Sequence, residues 1–203
     1  MKNFLILCFI LPSIFFVSNG QAITLDELQQ KFSQYPVTRA NFTQDRYIQG
    51  MNKPLHSTGR MIISQHHGLW WQQLTPFALT LKMNDQRMQQ IIGQQPPQII
   101  RADEQPQLFQ FNTLLAAIFN ADKITLEKNF QLNLSDSDNA QKWQLILIPK
   151  MAPLNKIFHK ITLIGDQYLL QITIDDKQND KTLIVFTDHQ TLPLTENEKH
   201  LFD

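Results

Sequence analysis

The sequence predicts a mainly β fold of the α+β class, in which one strongly curved antiparallel sheet, an incomplete barrel, carries helices as a lid over an apolar cavity. Apolar and polar residues alternate with a period of two over residues 37–92 and again over 124–186. Links of about two to five residues join these segments, which suits antiparallel neighbours and is too short for parallel crossovers. We expect nine or ten strands and two to four helices. A closed small barrel with a filled interior is the competing fold.

The first 22 residues have the pattern of a secretory signal peptide. Lys2 supplies a positive charge, and an almost unbroken apolar run extends from Phe4 to Val17. Gly20 and Ala22 are the small residues that a signal peptidase reads, so we expect cleavage after Ala22. A membrane anchor is the alternative, although the run is shorter than the ~20 residues of a spanning helix.

Residues 23–203 have the length of one domain. They contain no cysteine, because Cys8 is the only one in the sequence. An exported domain of this kind has no disulfide and no thiol nucleophile, so its core must stabilise it. The formal net charge of the chain is zero, which leaves no basic field for phosphates, and nucleic acid is not expected as a partner.

The domain begins with a capping box, in which Thr24 and Glu27 can each bond the backbone N–H of the other. Apolar residues then follow at helical spacing until Pro36, namely Leu25, Leu28, Phe32 and Tyr35. Strands are expected from there to residue 92, separated by turns at 50–54, 65–68, 75–76 and 84–85.

The second half opens with a predicted loop at residues 93–107, where Gly93 and three prolines exclude a regular element. A helix is expected from Pro106 to Asn120, and it is too apolar to have a solvated side. We therefore place it over the concave face of the sheet. Strand patterns return in five segments, at residues 124–134, 143–148, 158–164, 168–175 and 181–186.

No catalytic or cofactor motif is present in the sequence, neither G-x-S-x-G, G-x-x-x-x-G-K-[ST], H-E-x-x-H nor C-x-x-C. His66 and His67 are adjacent, and neighbours point apart in an extended segment, so a solvated turn is favoured over a metal site. The acidic segment 175–180 lacks the glycine and the closing glutamate of a calcium loop and is interpreted as a hairpin turn. We expect no enzyme, cofactor or metal.

Apolar and aromatic residues are in excess along the strands and in the central helix. They either fill a core or line a cavity that is left open for a ligand. On the residues alone, a structural or interaction domain, a ligand carrier and an enzyme of unrecognised type all stay open.

Several short motifs occur in an order and spacing that resemble a known family. They are Ala40-Asn41-Phe42-Thr43-Gln44, Gly59-Arg60-Met61, Leu69-Trp70-Trp71, Thr75-Pro76, Asn84-Asp85, Leu147-Ile148-Pro149-Lys150 and the stretch from Phe158 to Phe186. Together they resemble the periplasmic outer-membrane lipoprotein carrier family, the LolA-like proteins. The resemblance implies an incomplete barrel whose cavity receives the acyl chains of lipoproteins, or of another lipid, from an inner-membrane transporter and delivers them to an outer-membrane acceptor.

The same resemblance implies a monomeric periplasmic protein and gives the register of its cavity. The expected wall residues are Phe42, Met61, Ile63, Leu69, Trp71, Leu79, Leu81, Met88, Leu145 and Leu147. The expected lid residues are Gln65, Leu108, Phe111, Leu114, Leu115, Ile118 and Phe119. In this register Trp70 points outward.

Two departures from the family pattern are visible. Ser64-Gln65-His66 stands where the family has Lys-Arg-Pro, and the family's Arg holds the lid closed. Gln65 keeps an amide that can reach a lid carbonyl, but with fewer bonds and no charge. After Phe186 the family continues through a further loop and strand that bear on delivery, whereas this chain has residues 187–203. A relative with a different cargo or a different acceptor is therefore an alternative.

Overall fold

The computed structural model describes residues 23–104, 114, 116–136 and 142–203. It contains eleven strands: β1 (Val37–Tyr47), β2 (Leu55–Ser64), β3 (Gly68–Thr75), β4 (Leu79–Met83), β5 (Arg87–Ile92), β6 (Gln98–Arg101), β7 (Phe130–Asp136), β8 (Trp143–Pro149), β9 (Phe158–Gly165), β10 (Leu169–Asp176) and β11 (Lys181–Gln190). The helices are α1 (Leu25–Ser33), α2 (residues 116–120), α3 (Lys123–Asn129), α4 (Leu154–Ile157) and α5 (Glu196–Lys199), and a 3-10 turn spans His200–Phe202. No helix among the described residues is long and apolar enough to cross a membrane.

All eleven strands belong to one antiparallel sheet in the order β6-β5-β4-β3-β2-β1-β11-β10-β9-β8-β7. The sheet is unclosed, with β6 and β7 as its edges, and it is strongly curved. Leu79 on β4 and Phe130 on β7 line the same cavity although their strands are eight places apart. In a flat sheet that separation is roughly 38 Å. The predicted fold class is therefore confirmed.

Register shifts accompany the curvature. The ladders of β1, β2 and β10 each contain an irregularity, between Arg39 and Asn41, between Thr58 and Gly59, and between Leu169 and Gln171. Bulges of this kind bend a strand and increase its local twist. They lie in the central part of the sheet, where the two halves must turn toward each other.

The connection from β6 to β7 determines where the helices lie. These strands are consecutive in the sequence and form opposite edges of the sheet, so the chain between them must pass from one edge to the other. α2 and α3 lie in this connection, and Leu114, Ile118 and Leu126 join one core cluster with residues of the sheet. The described helices therefore cover the concave face, as expected. Of the helix predicted from Pro106 to Asn120, residues 106–113 and 115 lie outside the described residues.

A second, smaller cluster lies on the convex face. Phe202 packs there with Val37, Ile62 and Trp70, so the predicted outward orientation of Trp70 agrees with the structure. Trp70 is nevertheless only 3% exposed, because residues 191–203 fold back over it. The sequence showed no element in this C-terminal segment.

An ion pair holds the C-terminal segment to the sheet. The Arg39 guanidinium donates to Glu198 with Nε–Oε1 and Nη2–Oε2 distances of 2.6 and 2.7 Å, and its Nη1 donates to the carbonyl of Leu192 at 2.6 Å. Thr195 and Glu198 form a capping box that begins α5. The hydrogen bond from Arg39 lowers the pKa of Glu198 from its usual 4.5 to about 2.

Several predicted elements agree with the structure. The capping box of Thr24 and Glu27 begins α1, with a Glu27 N to Thr24 Oγ1 distance of 3.2 Å. The acidic segment 175–180 is the β10–β11 hairpin, in which Asp176 accepts from the backbone N–H groups of Gln178 and Asp180.

Other predictions were wrong. The expected strand at 124–134 begins as helix α3, because the Asp122 side chain caps it and the helix buries Leu126 completely. The expected loop at 93–107 contains the strand β6. Because β6 lies at the edge of the sheet, it pairs with β5 and needs no partner strand on its outer side. The sheet has one strand more than expected, and the described residues contain more than four helices because α4 and α5, of four residues each, are too short to show a period.

The ion pair on the convex face gives a pH prediction. A carboxyl whose pKa is lower in the folded state adds stability above its unfolded pKa and loses it as the pH falls through the folded value. We expect the difference in unfolding free energy between wild type and Glu198→Gln to be constant above about pH 5 and to fall by about 2–3 kcal/mol between pH 4.5 and pH 2. Denaturant titrations at each pH measure it.

Glu196→Gln, on the same helix, is the matched control. Glu196 pairs with Lys199 but its side chain is 83% exposed, so its removal should leave the pH profile nearly unchanged. A Glu198→Gln profile parallel to wild type down to pH 2 would contradict the assignment.

Candidate functional site

A cavity of about 430 Å³ lies between the concave face of the sheet and α2. Its volume falls in the range of roughly 300–1,000 Å³ that is typical of ligand pockets. Two lining residues, Gln44 and Gln73, are polar and uncharged, and none of the described residues that line it is ionisable. The others are apolar: Leu69, Trp71, Leu79, Leu81, Leu114, Ile118, Phe119, Phe130, Leu154, Phe158, Ile161, Ile172, Ile174 and Ile184.

The wall follows from strand alternation and register. Directly opposite residues of an antiparallel pair point to the same face. On one side of the cavity Trp71 lies opposite Leu81, and Gln73 opposite Leu79. On the other side Ile172 lies opposite Ile184, and Ile174 opposite Ile161. Along β3 the wall extends from Leu69 to Gln73, about 13 Å of strand.

An aromatic stack lies beside the wall, where β1, β2 and β3 meet. The rings of Phe42 and Trp71 have centroids 3.8 Å apart at an interplanar angle of 23°. Gly59 lies opposite Phe42 in the register. A Cβ at Gly59 would be 2.5 Å from Cζ of Phe42 and would overlap the backbone oxygen of Gln72. The missing side chain at this position is therefore what lets the Phe42 ring lie flat over β2.

The described part of the cover of the cavity is formed by Leu114 and the helix α2. Leu114 and Ile118 are buried, and Phe119 packs edge-on against Phe186 with centroids 6.0 Å apart. Phe119 also borders two smaller pockets beside the cavity. The half-buried ring of Phe119 lies between the cavity and these two pockets. A displacement of this ring would therefore join the three spaces.

Helix α1 covers the neighbouring part of the concave face. Leu28 is 1% exposed, and Phe32 packs edge-on against Trp143 at 5.7 Å. The Gln65 amide donates to the carbonyl of Ser33, the last residue of α1, at 3.3 Å. Gln65 thus reaches a helix carbonyl, as expected, but the helix is α1.

A groove of about 310 Å³, lined by both polar and apolar residues, lies at the turn end of the sheet, between the β2–β3 and β4–β5 turns and α2. Gln65, His66 and His67 belong to it. His66 is exposed, and Nδ1 of His67 lies 3.1 Å from Oγ of Ser64. Both histidines therefore lie in the turn that the sequence suggested.

The structure brings part of the predicted site together. Leu69, Trp71, Leu79 and Leu81 line the cavity, and so do Leu114, Ile118 and Phe119 of the predicted lid. Leu108, Phe111 and Leu115 lie outside the described residues. Their roles in binding stay predictions, as do those of all the other residues predicted for the site.

The remaining predicted wall residues lie elsewhere on the concave face. Phe42, Met61, Leu145 and Leu147 are at most 2% exposed and belong to the packed core. Ile63 borders the two smaller pockets. Met88 lies opposite Met83 near the edge of the sheet and does not line the cavity.

The sequence prediction missed the isoleucine wall: Ile161, Ile172, Ile174 and Ile184. Their alternation along β9, β10 and β11 could have indicated an inward face. The pairing of β11 with β1, which places that face opposite Trp71, is a long-range contact that the sequence pattern does not contain.

The arrangement can hold an alkyl chain. It offers no acid, base, nucleophile or metal ligand among the described lining residues, and its two amides can only donate or accept hydrogen bonds. Each methylene that leaves water for such an environment contributes about 0.8 kcal/mol.

The comparison with protein families gives one match. The model of the family described as outer membrane lipoprotein carrier protein LolA-like matches residues 17–185. No curated protein matches the chain.

Solved structures with a similar arrangement include a LolA superfamily protein from Nitrosomonas europaea, with a TM-score of 0.48, 11% identity and coverage of 87% of this chain and 97% of the other. A DUF1329 family protein from Desulfovibrio piger has a TM-score of 0.47, 9% identity and coverage of 85% and 92%. A chain of the Pseudomonas aeruginosa MucA/MucB complex has a TM-score of 0.47 and 16% identity, with coverage of 86% of this chain and 58% of the other.

The close approach at Gly59 predicts a sensitive position beside the cavity. Gly59→Ala should lower the free energy of unfolding by about 1–3 kcal/mol, as other overpacked sites do, because β3 or the Phe42 ring must move. Gly59→Val should cost more than Gly59→Ala. Denaturant unfolding checks both, and an alanine variant as stable as wild type would show that the Phe42 stack does not depend on the glycine.

Proposed function

Because this chain belongs to the outer membrane lipoprotein carrier protein LolA-like family, we propose that it is a periplasmic carrier that shields acyl chains of lipoproteins in its apolar cavity. The single observation that supports this most is the cavity itself, which is lined by apolar residues and two uncharged amides. A domain with a filled core would have no use for such a space, since voids in protein interiors are destabilising.

The composition of the wall supports an alkyl cargo with its polar part outside. A charged or strongly polar headgroup inside would lose its hydration without gaining an ionic partner from the described lining residues. Gln44 and Gln73, at the end of the cavity near the β3–β4 connection, supply the only polar side chains of that lining. Their amides can form hydrogen bonds with the ester or amide groups that join acyl chains to a lipoprotein.

Release of the cargo, and not its binding, is the energetically difficult step. A chain of some fifteen carbons gains on the order of 12 kcal/mol gross on leaving water. A carrier has to lower that gain by coupling cargo binding to a change of its cover. Among the described residues, the cavity is covered by Leu114 and α2. Displacement of α2 would break the packing of Phe119 on Phe186.

The proposed route follows the family. An inner-membrane transporter would supply the cargo and an outer-membrane acceptor would receive it. The protein would bind the cargo without chemical change, and the described cavity wall provides no group for catalysis.

Two adjacent residues of β4 test the cavity directly. Leu81 lines it, and Thr80 points to the opposite face of the same strand. Leu81→Glu should weaken the binding of a fluorescent fatty acid at least about tenfold, because the carboxylate would lie against the alkyl chain. Thr80→Glu should leave the affinity within about twofold.

Fluorescence titration of the purified protein measures the affinities, and circular dichroism checks that both variants are folded. An equal loss in both variants, or no loss in either, would be evidence against cargo binding at this site.

Gln65 tests whether the neighbouring helix α1 takes part in opening the cavity. An arginine at this position would place a charged fork at the C-terminus of α1 and strengthen a neutral hydrogen bond by about 0.5–1.5 kcal/mol. We expect Gln65→Arg to slow the uptake of an apolar dye severalfold in stopped-flow measurements.

Gln86→Arg is the control, because Gln86 is an exposed residue of the β4–β5 turn at the same end of the sheet. It adds the same charge without a contact to α1. Equal uptake rates in the Gln65→Arg protein and in wild type would mean that this contact has no part in gating the cavity.

A further inference from the structure

Exposed apolar side chains are concentrated at one end of the sheet. Of the eleven large apolar residues exposed in the described part of the chain, seven lie in or beside three connections at this end: Tyr47, Met51, Leu55, Leu74, Phe77, Met151 and Ile157. We call these connections and the adjoining β10–β11 turn the mouth rim, defined as residues 48–54, 76–78, 150–157 and 177–180. Clustered exposed apolar residues mark interaction sites.

Hydrogen bonds join parts of the mouth rim. The backbone N–H of Gln49 donates to Oδ1 of Asp180 at 2.9 Å, which connects the β1–β2 loop to the β10–β11 turn. The N–H of Lys177 donates to the carbonyl of Ile157 at 2.8 Å, which connects that turn to α4. Three of the four rim segments are therefore one connected surface.

The cavity reaches the mouth rim. Leu154, inside the rim, and Phe158, directly after it, line the cavity. Gln73 also lines it, and its amide donates to the carbonyl of Phe77 in the fourth rim segment at 3.1 Å. The rim is thus the part of the surface nearest to the cargo at this end.

The mouth rim is also positively charged. It contains four lysines and one carboxylate, Asp180, which already pairs with Arg46 at 3.2 Å. Two further carboxylates adjoin it at the end of β10: Asp175 lies 3.7 Å from the ammonium group of Lys160, and Asp176 accepts from backbone N–H groups of its own turn. The lysines are Lys53, Lys150, Lys156 and Lys177, and all four are exposed. No carboxylate of the described residues lies within 4 Å of their ammonium groups.

The opposite end of the sheet has the reverse character. Its turns at residues 65–67, 84–86 and 166–168 contain two aspartates and no lysine or arginine. The chain as a whole has a formal net charge of zero. The excess of lysine at the mouth rim therefore reflects where the lysines are located in the structure and not an excess of basic residues in the chain. Among the described turns compared, those of the mouth rim are thus cationic and apolar, and those at the opposite end are polar with acidic residues.

We propose that the mouth rim docks on the surface of an anionic lipid bilayer. Lysines interspersed with exposed Met, Phe, Leu and Tyr side chains are the combination that binds such surfaces, since the ammonium groups meet lipid phosphates while the apolar groups enter the interface. A folded protein partner fits less well, because the apolar residues stand on separate loops instead of forming one packed centre.

Docking in this orientation places the cavity against the bilayer. An acyl chain could then move between bilayer and cavity without crossing water. This inference goes beyond the carrier function, because a cationic apolar rim binds a bilayer whether or not the cavity holds cargo.

Cosedimentation with vesicles tests the proposal. The purified protein should bind vesicles of phosphatidylethanolamine and phosphatidylglycerol at low salt, bind phosphatidylcholine vesicles much more weakly, and lose binding as salt is raised. A lysine near such a surface contributes about fivefold to binding, so Lys53→Gln with Lys156→Gln should weaken it about 25-fold.

Matched controls lie away from the rim. Arg101→Gln with Lys199→Gln removes the same charge from exposed positions elsewhere and should change binding less than about threefold. Phe77→Ser, at a rim side chain that is 61% exposed, should weaken binding, and Leu192→Ser, at a side chain that is 70% exposed, should not.

The outcomes separate this inference from the carrier function. Fatty-acid binding should be unchanged in the rim variants, and vesicle binding should be unchanged in the Leu81→Glu variant. Failure to bind anionic vesicles, equal binding to neutral ones, or equal loss in rim and control variants would each overturn the docking proposal while leaving the cavity result as it stands.

Discussion

The path of the chain between the two edge strands is the constraint from which the rest of the structure follows. β6 and β7 are consecutive in sequence and lie at opposite edges of an eleven-stranded sheet. The chain between them has to pass from one edge to the other, and its described residues Leu114, Ile118 and Leu126 lie on the concave face. The cover of the concave face is therefore part of the topology and needs no separate domain. Leu114 and Ile118 on this connection are buried against the sheet, which anchors the crossing.

The described residues cover the two halves of the concave face unequally, and the cavity lies over the half that they cover less. Over β8 and β9, the helices α1 and α3 fill the space, so Leu28, Leu126, Leu145 and Leu163 are almost inaccessible. Over β3 and β4, the cover is α2 with its Phe119, and Trp71, Leu79 and Leu81 remain half-buried. The stack of Phe42 on Trp71 across Gly59 marks the boundary between the filled half and the open one.

Local patterns in the sequence predict individual strands and helices. The long-range pairing of strands determines which residues line the cavity. Alternation along β3 and β4 divided their residues between two faces, and the family resemblance identified the face of Trp71 and Leu81 as the inward one. It could not place the isoleucines of β9 to β11 opposite them, because that depends on the pairing of β1 with β11. The segment at 124–134 was predicted as a strand, whereas the aspartate cap and the burial of Leu126 favour a helix at its start. Gln65 was expected to contact a lid carbonyl, and only the folded structure assigns that carbonyl to α1.

The central claim is that an alkyl chain occupies the space between α2 and the sheet. The most direct measurement is photo-crosslinking with a fatty acid that carries a diazirine at its terminal carbon, followed by peptide mapping of the attachment sites. The account predicts attachment within β3, β10 and β11, at residues such as Trp71, Ile172 and Ile184 that line the cavity. Attachment confined to the convex face, around Trp70 and Phe202, or spread evenly over the surface would contradict it.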